Sequence, residues 1–112
     1  MKSFKAFILE NLFQKKVHQN PTAETMKALA KNNKYGSARF VIYKDGSHVA
    51  GDSEHHTHQD IAPANAAWHT RGIIGWHGGK KYTYTTFQPF SNHPSDHPKL
   101  RHFEKMGIEK GN

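Results

Sequence analysis

Histidines 55, 56 and 58 form the densest group of potential catalytic or metal-binding side chains in this sequence. They lie in the segment GDSEHHTHQDIAPANAAW, which begins at Gly51 and ends at Trp68. Imidazole can act as a metal ligand, or as an acid or base near neutral pH, because its ordinary pKa is about 6.5. Three roles are therefore open: a metal site, an acid–base pair and a structural role.

A metal site would draw on imidazole and carboxylate ligands of this segment. The segment predicts a short helix. Asp52 or Ser53 is a suitable N-cap, and Pro63 ends the helix. Residues three or four positions apart share a helix face, which pairs His55 with His58, Glu54 with His58 and His56 with Asp60; a strand would instead place Glu54, His56, His58 and Asp60 on one face. We take His55, His58 and Asp60 as the candidate ligands of a divalent metal such as zinc. The spacing matches no complete metal-hydrolase motif, and the chain has no cysteine for thiolate sites. We therefore expect no cofactor, with zinc as the alternative.

A metal-free enzyme would need one histidine to take up a proton and another to donate one. A neighbouring cation would stabilise the negative charge that develops on phosphorus. The candidates for these roles are His56, His58, His69 and Arg71. They would make a small phosphodiesterase or ribonuclease-like enzyme, or another hydrolase or lyase. Ten histidines among 112 residues offer such sets by chance, so a structural role for the cluster is the default.

Positive charge is concentrated in the first third of the chain. The formal net charge is +7, and residues 1–34 contain seven lysines against two glutamates. Such a segment attracts polyanions, so we expect a nucleic acid, or a protein associated with one, as the partner. The alternative is that these lysines only keep the chain in solution. The candidate nucleic-acid contacts are Lys2, Lys5, Lys15, Lys16, Lys27, Lys31 and Lys34.

Two helices are predicted before the first strand. Residues 1–18 predict a basic amphipathic helix or arm, with Phe4, Ile8 and Leu12 in one row. Its apolar face suits core packing or a homo-oligomer contact. The segment NPTAETMKALAKNNKYG predicts a second helix that begins near Pro21 and ends before Gly36. Residues 19–112 are expected to form a single small domain, because a chain of this length supports one modest core.

Four strands and a closing helix are predicted from the remaining segments. RFVIY (39–43) and SHVA (47–50) form a hairpin with a two-residue Asp45-Gly46 turn. RGIIGW (71–76) and KKYTYTTF (80–87) form a second pair, and SDHPKLRHFEKMGI closes the chain as a helix. The order α-α-β-β-α-β-β-α indicates an α+β fold. We expect an antiparallel sheet of about four strands with the N-terminal and C-terminal helices packed on it.

From the sequence we expect an intracellular protein without a transmembrane segment. No stretch approaches the roughly 20 apolar residues that a membrane span needs. Lys5 and Glu10 interrupt the apolar run that a signal peptide would require.

Three segments resemble uncharacterised small accessory proteins of T4-like, especially marine, bacteriophages. The opening MKSFKAFILE is similar to the starts of such proteins, and SDHPKLRHFEKMGI to their closing helix. Between them, a glycine-turn hairpin leads to a histidine near a short helix and then to a return strand. The matching elements here are Asp45-Gly46, His58, Ile61-Ala62 and residues 72–76.

The resemblance implies a phage-encoded accessory protein in the host cytoplasm and assigns no catalytic residue. The preferred function is binding of a nucleic acid, or of a host or phage protein associated with one, through the basic N-terminal third. The alternatives are a histidine-dependent enzyme, in this setting a counter-defence hydrolase or lyase, and an oligomeric virion component.

Overall fold

A computed structural model describes residues 12–63, 67–87 and 97–111. Its helices are α1 (Ala23–Lys31), α2 (His58–Ile61) and α3 (Pro98–Lys105). Its strands are β1 (His18–Gln19), β2 (Ser37–Tyr43), β3 (His48–Asp52), β4 (Trp68–Trp76), β5 (Tyr82–Phe87) and β6 (Ile108–Lys110). Residues 12–15 are also helical. None of these helices is long and apolar enough to cross a membrane.

The strands form one mixed sheet in the order β1-β3-β2-β4-β5-β6. All neighbours are antiparallel except β5 and β6, which run parallel. The α+β class is therefore confirmed, but the expected number of about four strands is wrong. The two additional strands lie at the edges and contain two and three residues, which is too short to produce an alternating pattern in the sequence.

The first predicted hairpin forms between β2 and β3, but its turn is longer than two residues. Gly46 N donates to Tyr43 O at 3.0 Å, and Tyr43 N donates to Ser47 O at 2.8 Å. Gly46 has φ +90°, a value that favours glycine. The loop therefore resembles the three-residue hairpin connection that ends in a left-handed glycine. Asp45 holds it by accepting from both the backbone N and the hydroxyl of Ser47.

The main core lies between one face of the sheet and helices α1 and α3. Helix α1 begins at the N-cap Thr22, whose hydroxyl accepts from Thr25 N. Its buried side chains meet the alternating side chains of β2 and those of α3. The largest fully buried members of this core are Met26, Leu29, Phe40, Ile42, Ile74, Leu100, Phe103 and Ile108.

A smaller apolar cluster covers the opposite face of the sheet. Val41 and Val49 point to this face, because they alternate with the core residues Phe40 and Ala50. Ile61 of α2 and Trp68 pack on them. A register shift between Ile42 and Tyr43, opposite the start of β4, accompanies the placement of Trp68 on this side.

Helix α2 begins later than predicted. Its N-cap is Thr57, which forms a reciprocal capping box with Asp60. Asp52 is instead the last residue of β3. Residues 1–11 lie outside the described part of the predicted N-terminal arm. Of the rest, Phe13 packs against the main core, and the predicted boundary after residue 18 falls inside β1.

Candidate nucleic-acid interface

The three clustered histidines have three different partners. His55 Nδ1 lies 3.0 and 2.9 Å from the two carboxylate oxygens of Asp52. His56 Nε2 lies 2.7 Å from Lys15 O, and His58 Nε2 lies 2.9 Å from Gly72 O. A carbonyl oxygen only accepts, so in His56 and His58 the Nε2–H donates. The three rings therefore bind three different segments. His55 binds the end of β3, His56 binds the segment that contains Lys15, and His58 binds β4.

The metal hypothesis gains no support from this arrangement. Among residues 12–63, 67–87 and 97–111, no three His, Cys, Asp or Glu side chains are grouped so that they could hold a metal ion. His55 is bound to Asp52, His58 to the sheet, and Asp60 to the N-cap of α2. The hydrogen bonds from Thr57 lower the pKa of Asp60, which is therefore ionised as a helix cap at neutral pH.

Of the predicted catalytic set, the structure brings His58 and Arg71 together. Burial lowers the pKa of His58, and the positive charges of Arg71 and Arg39 lower it further. His69 lies elsewhere: its Nδ1 is 2.8 Å from the hydroxyl of the buried Thr70, and its ring packs edge-on against that of His97 before α3. His69 is therefore on the side of the sheet that carries α3, away from α2.

The predicted lysine contacts fall into separate groups. Lys2 and Lys5 lie outside the described residues. Lys15 is the last residue of the helical segment 12–15, with its carbonyl oxygen close to His56, and Lys16 follows it. Lys27 and Lys31 project from α1 in another direction, toward β5 and β4, with Nζ 5.7 Å from the ring centroids of Tyr82 and Trp76. Lys34 lies over the ring of Tyr35 at 5.2 Å. The lysines of the first third that the structure describes therefore do not form one continuous basic surface.

One groove gathers lysines from two distant parts of the sequence. Its volume is ≈ 530 Å³, within the roughly 300–1,000 Å³ typical of ligand sites. We call it the lysine–aromatic groove. It is lined by Glu24, Lys27, Ala28, Lys31, Asn32, Gly79, Lys80 and Tyr82. It brings the outer side of α1 next to the connection between β4 and β5.

The β4–β5 connection shapes one wall of this groove. Gly78 and Gly79 have φ values of +102° and +57°, a conformation that side chains other than glycine rarely adopt. The indole Nε1 of Trp76 donates to Gly79 O at 3.0 Å, which fixes the ring beside the turn. Lys80, directly after the glycines, is exposed and lines the groove.

The lysines of the groove differ in their exposure and in whether they form an ion pair. Lys27 is only 19% exposed and forms an ion pair with Glu24 at 3.4 Å, so its charge is largely matched inside the protein. Lys31 and Lys80 are exposed, and so is Lys34 just beyond α1. Tyr82 forms part of the floor. Burial, and then the charge of Glu24, raises the pKa of its hydroxyl, which therefore stays protonated.

Comparisons with protein-family models, with curated proteins and with solved structures gave no match to this chain. The site must therefore be argued from its own geometry. The nucleic-acid contacts predicted from the sequence all lie in the first third and do not include Lys80, Gly79 or Trp76. The run HGGKKY after a strand that ends in tryptophan was the available signal, because glycines followed by lysines make an exposed basic turn.

Proposed function

We propose that this protein binds single-stranded nucleic acid in the lysine–aromatic groove. The observation that carries the proposal is the convergence of Lys31 and Lys80, from α1 and from the β4–β5 turn, beside the ring of Trp76. Binding of single strands typically combines a basic groove for the backbone with aromatic rings on which bases stack. This groove offers both, and Glu24, the one carboxylate among the described residues that line it, is already paired with Lys27.

Each part of the groove has a distinct role in this proposal. Lys31, Lys34 and Lys80 contact backbone phosphates, and a base stacks on Trp76 in the place that the Lys31 ammonium occupies in the free protein. The glycine turn leaves room for the strand to approach the backbone. Such contacts give affinity with little sequence preference. This suits the phage-type accessory protein that the sequence resemblance implies.

The test is a charge reversal with a matched control. Fluorescence anisotropy with labelled oligo(dT) and oligo(U) compares the wild type with Lys31→Glu/Lys80→Glu and with Lys44→Glu/Lys105→Glu. All four lysines are exposed and both variants change the net charge equally, but Lys44 and Lys105 lie outside the groove. We expect the groove variant to bind at least about tenfold more weakly, and the salt dependence to lose a slope of about 0.7 per phosphate contact removed.

Two results would overturn the proposal. One is equal weakening in both variants, which would indicate a general charge effect rather than a groove. The other is the absence of binding to either oligonucleotide at low salt by a folded wild-type protein. Duplex DNA of equal length serves as the competitor, and preference for the duplex would contradict the role of Trp76.

A further inference from the structure

Arg71 stands in the middle of the sheet on the face opposite α1 and α3. It pairs in register with Val41 of β2 and Phe87 of β5, and Val41 belongs to the apolar cluster on that face. Directly paired residues project to the same side of a sheet. Arg71 therefore lies on the side that carries α2, across the sheet from the lysine–aromatic groove.

One nitrogen of the Arg71 side chain has no hydrogen-bond acceptor although it is buried. This atom is Nε, and it has no acceptor within the described part of the chain. An arginine cannot deprotonate, and a buried N–H without an acceptor costs free energy. Arg39, on the same face, is different: it donates to the carbonyl oxygens of Ser53 and His56. Arg39 thus has a structural role that Arg71 does not share.

The ring of His58 lies next to Arg71 and presents a second nitrogen-bearing group there. Its Nε2–H donates to Gly72 O, in the same strand as Arg71, so the remaining ring nitrogen is Nδ1. The ring stands edge-on to Phe87 at 6.1 Å between centroids, and Phe87 is the residue paired with Arg71. The backbone of β4 and the ring of Phe87 therefore hold His58 in place beside the guanidinium.

The charges that act on His58 are positive, and the acids of the neighbouring segments already have partners. Arg71 and Arg39 both act on His58 as positive neighbours. The acid on α2, Asp60, is exposed and engaged in capping that helix. Asp52 at the end of β3 is bound to His55. An anion placed here would lower the repulsion among the cations and favour protonated His58, in which Nδ1–H becomes a donor.

We infer that Arg71 and His58 form a binding site for a phosphoryl group. The planar guanidinium presents N–H groups in a fork that matches two oxygens of a tetrahedral oxyanion, and His58 Nδ1–H can reach a third. The half-buried side chains of Ile73 and Phe87 flank the arginine and suit the organic part of a small phosphomonoester. The site is separate from the nucleic-acid groove, because the two lie on opposite faces of the sheet.

The experiment is an NMR titration of the full chain with inorganic phosphate, then with a nucleoside monophosphate, and with acetate for comparison. We expect the Nε–H signal of Arg71 and the ring signals of His58 to move in a saturable way with both phosphates. Acetate should produce at most a much weaker shift. Arg71→Lys should weaken binding at least about tenfold because it loses the fork. Arg101→Lys, an exposed arginine on α3, should bind as the wild type does.

Urea unfolding provides a second test, which distinguishes anion binding by Arg71 from a structural role of this residue. Arg71→Met removes an unpaired cation from a half-buried position, so we expect it to unfold at the same or a higher urea concentration in phosphate-free buffer. The wild type should gain stability when phosphate is added, and Arg71→Met should not.

Three outcomes would overturn the inference: no saturable shift with either phosphate in the wild type, equal shifts with acetate, or clear destabilisation of ligand-free Arg71→Met. The Lys31→Glu/Lys80→Glu variant keeps the site intact. Its loss of phosphate binding would assign the binding to the groove instead.

Discussion

The carboxylate of Asp52 and the imidazole of His55 form a hydrogen-bonded pair at the end of β3. Asp52 is fully buried, and its oxygens accept from His55 Nδ1 at 3.0 and 2.9 Å and from His55 N at 2.9 Å. The His55 side chain is 30% exposed, with Nε2 at 3.9 Å from a Glu54 oxygen. The pair closes the turn that leads from β3 toward α2. The histidine-rich segment is thus, in part, a means of satisfying a buried carboxylate.

Replacing that carboxylate tests the structural role of the pair. Asp52→Asn keeps the size of the side chain but removes the charge and one of the two acceptor oxygens that face His55. We expect the free energy of unfolding to fall by about 1–3 kcal/mol, because a hydrogen-bonded group is left unpaired in a buried position. Urea denaturation measures this. Asp45→Asn, in the exposed β2–β3 turn, is the control and should lose less; an equal loss would contradict the prediction.

The buried His48 makes the stability of the fold dependent on pH. Its Nε2–H donates to Pro21 O at 2.9 Å, and its Nδ1 is buried without a partner among the described residues. Burial lowers the pKa of His48, and the nearby charges of Lys99 and His102 on α3 lower it further, while the bond to Pro21 opposes them. The unfolded chain therefore binds the proton more readily than the folded protein does.

This difference predicts that the protein loses stability as the pH falls below about 6.5, the ordinary pKa of histidine. The stability is fully present above that pH, and the loss is complete only below the lowered pKa of the folded state. Urea denaturation between about pH 7.5 and about pH 5 measures the slope. His48→Gln keeps a donor for Pro21 O and should flatten it, whereas the exposed-site variant His77→Gln should retain more of the wild-type slope. Slopes that match in all three proteins would contradict this account.

The internal elements of the fold were predictable because their side chains repeat with a clear period. The alternation of β5 and the buried row of α1 follow directly from the sequence. The edge strands β1 and β6 were missed because pairing with β3 and β5, rather than any pattern of their own, makes them strands. The start of α2 was misplaced because Asp52 and Thr57 are both good caps, and the pairing of Asp52 with Ala38 in the sheet, which no local pattern contains, decides between them.

The candidate site was predictable only in part. The attraction of α1 lysines for polyanions follows from composition, and Lys27 and Lys31 do line the groove. Lys80 lines it as well, and Trp76 lies beside Lys31, because the β4–β5 connection is next to the outer side of α1. No local pattern contains this relation between residues about 50 positions apart. In the same way, His58 and Arg71 meet because α2 packs on the sheet, whereas His69 is on the other side.

Tryptophan fluorescence provides a direct test of the proposed stacking. Trp76 lies beside the groove, while Trp68 is 5% exposed and belongs to the cluster on the opposite face. Oligo(dT) should quench the emission of the wild type, and Trp76→Phe should show little quenching because its remaining tryptophan is remote. Trp76→Ala should also bind at least about tenfold more weakly, since stacking contributes roughly 1–3 kcal/mol per base. Undiminished quenching in Trp76→Phe would place the contact elsewhere.

Two glycines of β4 allow a paired test of how closely the strands and the core approach each other. At Gly72, an added Cβ would overlap the carbonyl oxygen of Thr85 and lie 2.5 Å from Phe40 Cζ. Neither neighbour can move freely, because one is sheet backbone and the other is a fully buried ring. We therefore expect Gly72→Ala to lower the free energy of unfolding by about 3 kcal/mol.

At Gly75, in the same strand, the nearest atom is the end of the His77 side chain at 3.4 Å. Gly75→Ala should change stability by less than about 0.5 kcal/mol or increase it slightly, because alanine restricts the unfolded chain. Thermal or urea unfolding of the two variants decides the matter: similar losses in both would mean that Phe40 does not pack over Gly72 as described.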